Sequence, residues 1–245
     1  MFGNHFYHAT MRKSVAVFGT LFNNISVIRQ DGSGNVLNQI KVPLAYGPKQ
    51  KWLARIDQQT EESMAIKLPR MAFEITSITS DLNQKLSKRT SIIESTDDPT
   101  QKRTIKQIAA YDIGMQLNIM AKNQDDGLQI LEQILPYFQP EYTVSVKPVT
   151  GYDFKQDVPV ILTGVNITDD YEGDLTTRRV LVYTLDFTMK VKFFGPTSNQ
   201  GVIREVNIDF NNNISGTEIL EEMQLTIDPP TANQDDDYTI NVTIT

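Results

Sequence analysis

The sequence has no cysteine, only two histidines (His5 and His8), a single tryptophan (Trp52) and no apolar run long enough to span a bilayer. Without cysteine there are no disulfides, thiol nucleophiles, iron–sulfur clusters or sulfur-based zinc sites, and such a composition fits a reducing compartment. Cations are also in deficit. The 23 Lys and Arg stand against 30 Asp and Glu, a net charge of −7. That balance argues against polyphosphate binding through bulk electrostatics, so nucleic acid is not an expected ligand. What is present is 245 residues with 40% hydrophobic and 22% charged side chains. A chain of that size and composition folds into one large domain or two small ones, and is neither disordered nor collagenous.

The charge is unevenly placed. From Gly195 onward one cation, Arg204, faces nine anions, a local net charge of −8, while the remainder is close to neutral at +1. The expected organisation is a folded domain over residues 1–195 and an acidic C-terminal arm, or set of added strands, over 196–245. The arm either solvates itself or docks on a basic partner.

Hydrophobic periodicity supplies the elements. Met11, Val15, Phe18, Phe22 and Ile25 recur at steps of three or four and form one helical stripe, with Thr10 as the expected N-cap. The stretch Val15–Phe22 follows Arg12 and Lys13 but runs into Asn23 and Asn24 without a small-residue cleavage site, so it reads as a helix and not as a secretion signal. On that reading the four Asn-x-Ser/Thr sequons at Asn24, Asn166, Asn213 and Asn241 are accidents of composition. A hairpin is expected from residues 25–28 and 36–42 around the turn-forming Asp31-Gly-Ser-Gly-Asn35. Pro48 opens a short helix carrying Trp52, Leu53 and Ile56. Met71, Phe73 and Ile75 alternate with polar or small residues as a strand does, and Ile78 breaks the phase, which signals a bulge.

The clearest period of two runs through Tyr111, Ile113, Met115, Leu117 and Ile119. An acidic turn follows, with Asp125 as a capping candidate, and then a helical stripe of Leu128, Leu131, Ile134 and Leu135 that ends at Pro136. Further strands are expected at 142–146, 158–167 and 181–193, the last two joined by the turn Asp169-Asp-Tyr-Glu-Gly-Asp174 as a long hairpin. Residues 202–210 and 238–244 are weaker strand candidates. The fold class implied is α+β: a mainly antiparallel sheet, polar on one side, with a few helices packed on the other.

No constellation of catalytic residues emerges. His5 and His8 lack the third and fourth ligands that zinc requires. The acidic turn at 169–174 lacks the spacing of a calcium loop, and Asp31–Asn35 fits neither a Walker loop nor a dinucleotide turn. No Gly-x-Ser-x-Gly elbow is present. The basic clusters Lys102-Arg103-Lys106 and Arg178-Arg179 lie among acidic and polar residues, so they read as strand ends or subunit contacts. No cofactor, no metal and no enzymatic activity are expected. An enzyme using paired carboxylates ranks third among the readings, after a β-rich module for receptor or sugar recognition.

Three stretches together resemble a known family. These are Phe6–Gln30, then Gln129–Pro140 with its Glu132-Gln-Ile-Leu-Pro-Tyr-Phe-Gln-Pro140 core, then Asp174-Leu-Thr-Thr-Arg-Arg179 before an alternating strand. They are similar to the tail sheath stabiliser and completion proteins, the tail terminators, of T4-like contractile-tailed phages. The resemblance takes in Val42–Tyr46 and Leu68–Arg70, weakens over 90–103 and is lost after Pro196. It implies a structural virion protein of the tail and neck, assembled in the host cytoplasm as a homohexameric ring. Its partners would be the tail sheath protein, the tail tube terminator and neck proteins, with no nucleic acid and no membrane. An exposed edge strand is a liability that ring closure can occupy. Pairing with a neighbouring subunit is therefore expected of the strand 181–193 or of the arm, with Arg178, Arg179, Leu181, Tyr183, Asp235, Asp236 and Asp237 as candidate interface residues.

Overall fold

A computed structural model describes residues 5–33, 35–57, 68–84, 87, 90–95, 101–170, 180–201, 203–212, 219–232 and 236–245. The chain divides into two compact units. One comprises Tyr7–Leu86 with Ala109–Phe193; the other comprises Met1–Phe6, Ser87–Ile108 and Phe194–Thr245. Residues 87–108 thus group with the C-terminal segment.

In the larger unit, helix α1 (Thr10–Leu21) leads into a hairpin of β1 (Ser26–Gln30) and β2 (Val36–Lys41). The Asp31 carboxylate closes the turn by accepting from the backbone N–H groups of Ser33 and Asn35. Short β3 (Leu44–Tyr46) and helix α2 (Lys49–Asp57) precede β4 (Arg70–Ser80). Further along lie β7 (Ile108–Ala121), α3 (Gln124–Ile134) with a single 3₁₀ turn at Leu135–Tyr137, β8 (Glu141–Val146), β9 (Gln156–Asp170) and β10 (Val180–Phe194). Six strands form one sheet in the order β3-β4-β7-β10-β9-β8, in which β3 runs parallel to β4 and the pairs β4/β7, β9/β10 and β8/β9 are antiparallel. The break of phase at Ile78 corresponds to a register shift between Ile75 and Ser77.

The period-two residues behave as their pattern requires. Ile113, Met115, Leu117 and Ile119 of β7 and Leu181, Tyr183, Leu185, Phe187, Met189 and Val191 of β10 share one buried face with Phe18, Phe22, Ile130 and Ile134 of the helices. Phe18 is fully buried, with its ring 5.3 to 5.4 Å from those of Phe73 and Phe187. Helix α3 lies so close to the sheet that a Cβ on Gly127 would stand 2.3 Å from the Tyr183 ring. Two capping expectations are corrected: α1 begins after Ala9 in a left-handed conformation and α3 after Asn123, and neither cap residue makes a side-chain cap bond.

The opposite face departs from the expected polar surface. Met120, Ala72, Val180 and Val182, all of the other parity, form a second buried cluster with Trp52 of α2. Near Ala121 and Val180 the strands are apolar on both parities, so this end of the sheet needs cover on both faces, and helices are not confined to one side. Only the middle and far end of that face are polar. There the Gln116 amide donates to Asp186 at 2.9 Å, Thr184 donates to Asn118 at 3.0 Å, and Lys190 pairs with Asp81 at 3.0 Å and Asp112 at 3.5 Å.

The smaller unit contains two three-stranded antiparallel sheets. One has the order β11-β6-β5, from β5 (Ser91–Ser95), β6 (Gln101–Lys106) and β11 (Thr197–Gly201). The other has the order β12-β13-β14, from β12 (Glu205–Asn211), β13 (Ile219–Asp228) and β14 (Thr239–Ile244). The basic cluster Lys102-Arg103-Lys106 lies on β6, where Arg103 stands opposite Glu94. That makes the cluster part of a strand.

Candidate interaction surfaces

Several long-range contacts in the larger unit fix one structural joint. Asp126, in the first turn of α3, is buried and accepts from the Arg29 guanidinium at 2.8 Å. A carboxylate there also meets the partial positive charge of the helix N-terminus. Gln129 binds Ile28 twice, accepting its N–H and donating to its carbonyl, both at 3.1 Å, while Gln133 donates to the Ser26 carbonyl at 2.9 Å. Two glutamines one helical turn apart thus occupy backbone groups along the outer edge of β1 that would otherwise be open to another strand.

Beside this joint the chain forms a groove of about 470 Å³. Leu21, Phe22 and Ile25 supply one wall and Pro136, Tyr137, Phe138 and Tyr142 the other. Phe138 sits 5.2 Å from Phe187 and 6.3 Å from Phe22, which anchors the groove floor in the core. Tyr137 and Tyr142 are exposed at the rim. Two of the three stretches that carry the family resemblance, Phe6–Gln30 and Gln129–Pro140, therefore meet in space and build the joint and the groove together.

The terminal sheet is a second surface of different character. Its register sets Val206 opposite Leu225 and Leu225 opposite Val242, and likewise aligns Ile208, Met223 and Ile244. Residues directly opposite share a face, so with Phe210, Ile227 and Ile240 these make nine apolar side chains on one side. The other side carries Glu205, Asn207, Asp209, Glu222, Gln224 and Thr226. In a finished core the apolar side would be covered, yet here Val206, Phe210 and Ile240 are 42, 47 and 59% exposed. Arg204, the segment's only cation, donates to the carbonyls of Pro230 and Ala232 and so pins the turn between β13 and β14.

The sequence-derived interface candidates fare unequally. Leu181 and Tyr183 are buried core residues of β10, a strand paired on both edges by β7 and β9, so β10 has no edge to offer a neighbour. That expectation is corrected, because alternation shows a covered face but does not show whether a strand is central. Arg178, Arg179, Asp235 and most of the 169–174 turn lie outside the described residues. Asp236 and Asp237 are exposed just before β14. The groove, the joint and the apolar face of the terminal sheet were not anticipated as sites. The i, i+4 glutamines beside an acidic helix start were the available signal for the joint.

Among the described residues no cluster of three or more metal-ligating side chains occurs, and no helix is long and apolar enough to cross a membrane. His5 and His8 lie in the non-helical stretch before α1. Lys190 forms an ion pair with Asp81 at 3.0 Å. Its hydrogen bond to Asp81 holds that carboxyl below the usual range, and the same bond raises the ammonium group, as in any structural ion pair.

An uncovered apolar sheet and an aromatic groove on one chain are marks of a subunit built into a larger assembly. Comparison with known proteins agrees. Residues 5–245 match the family of T4-like virus Myoviridae tail sheath stabilisers, and the chain belongs to that family of structural phage tail proteins. It is 30% identical to the tail completion protein gp15 of Enterobacteria phage T4, over 100% of this chain and 94% of that protein. The match passes Pro196 and runs to the C-terminus, so the acidic segment is part of the family's chain and not an appendage to it. This corrects the extent read from the sequence motifs.

Proposed function

We propose that this protein caps and stabilises the contractile tail sheath as a hexameric ring in the virion, joins the tail to the head-proximal neck, and assembles in the host cytoplasm. Family membership over residues 5–245 is the observation that carries this reading. The physical features suit it: the open face of the terminal sheet needs a neighbour, and its acidic opposite face suits a basic surface on a second component. Sheath protein, tube terminator and neck proteins are the partners proposed for that acidic face, with Asp235, Asp236 and Asp237 proposed as contributors of negative charge to the contact. The alternative of a sugar or receptor module gains nothing from Trp52, which is buried on α2 with the Arg70 guanidinium 4.2 Å from its ring.

The test is the mass of the purified protein by light scattering, alone and on isolated sheathed tails. A particle of about six times 27.7 kDa, or six copies per tail end, is expected. Copies that bind neither each other nor tails refute the reading. Release from tails as salt rises assigns the contact to the acidic face, because screening weakens such a contact.

A further inference from the structure

We propose that the apolar face of the terminal sheet docks into the aromatic groove of the next copy of this chain. The inference rests on the ring reading above and supplies its contact. Nine side chains, many about half exposed, present on the order of 600 Å² of apolar surface, at the upper limit for a monomer and near the ~800 Å² each partner gives a standard interface. A second copy brings the matching surface. The groove is aromatic, about 470 Å³ in volume, and sized for one or two large side chains such as the exposed Phe210.

Symmetry favours the same occupant. On the apolar face Glu221, opposite Phe210, is the one carboxylate, and Glu132 is the one charged residue lining the groove. The other acids of the sheet, Glu205, Asp209, Glu222 and Asp228, lie on the opposite face. Pairing the face with itself would be isologous and would stop at two copies. Two different apolar surfaces on one chain make a head-to-tail contact, which is the kind that closes into a ring.

The absence of native cysteine makes the test clean. Val242→Cys and Tyr142→Cys variants are prepared separately, mixed in equal amounts under assembling conditions and treated with a short bis-maleimide. Phe210→Cys with Tyr137→Cys serves as a second pair, and circular dichroism confirms that each variant is folded. The expected product is a covalent dimer from the mixture and none from either variant alone. A covalent dimer from Val242→Cys alone shows self-pairing and overturns the proposal. No cross-link from either pair, while the wild type still assembles, overturns the docking and leaves the ring standing. A wild type that assembles neither in solution nor on tails removes both.

Discussion

The central sheet and the terminal sheet are written in the same pattern and end in opposite states. β7 and β10 alternate apolar with polar residues, and their apolar parity is buried under α1 and α3. β12 and β14 alternate as well, and β13 does from Met223 onward, yet much of their apolar parity is open to solvent. The difference lies in what the neighbouring sequence provides. Amphipathic helices flank the central strands, whereas turns, prolines and acids flank the terminal ones. A three-stranded sheet with an uncovered apolar face is marginal by itself. The central sheet is thus a finished core, and the terminal sheet is half of one, to be completed by assembly.

The sharpest way to break the contrast is to remove the same kind of side chain from each. Phe18→Ala empties a fully buried position among three aromatic rings and should destabilise the larger unit by about 3–5 kcal/mol in urea unfolding. Phe210→Ala should leave that unit's stability unchanged and reduce assembly instead. Overpacking comes next. Gly127→Ala drives a Cβ against the buried Tyr183 ring and should cost about 2–3 kcal/mol, whereas Gly201→Ala on β11, where nothing lies within 4 Å, should cost far less. Arg29→Ala leaves the buried Asp126 carboxylate without its cation. Because Arg29 is itself partly exposed, the loss should be about 1–2 kcal/mol, accompanied by faster amide exchange in β1 and β2.

The smallest effect is pH-dependent. Lys190 holds the Asp81 carboxyl below its ordinary value of about 3.9, so this contribution is present above that pH and fades as pH falls through the lowered value. The Lys190 ammonium is held above its ordinary value of about 10.4, so its contribution is complete below that pH and is lost as pH rises through the raised one. Between these limits the pair is constant. Lys190→Met should flatten the acid limb of a stability–pH curve.

How much of this was legible in the sequence follows from the same contrast. Period-two runs located β7 and β10, and helical stripes located α1 and α3, because local residues suffice to define those patterns. β6 and β11 were not read as strands: Gln-Lys-Arg-Thr-Ile-Lys looks like a basic cluster, and Thr-Ser-Asn-Gln-Gly has no large apolar residue. Each is held by pairing with a strand nearly a hundred residues away, which no local pattern encodes. The same holds for Arg29 and Asp126, 97 residues apart, and for the groove, whose walls come from distant stretches. β13 escaped notice because Leu220, Glu221 and Glu222 interrupt its alternation near the start.

The most direct test of the claim that assembly completes the terminal sheet is hydrogen–deuterium exchange on the free protein and on the protein bound to sheathed tails. The account predicts that β7 and β10 are protected in both, while β12, β13 and β14 exchange readily when free and become protected when bound. Strong protection of the terminal strands in the free protein, or no gain on binding, would contradict it.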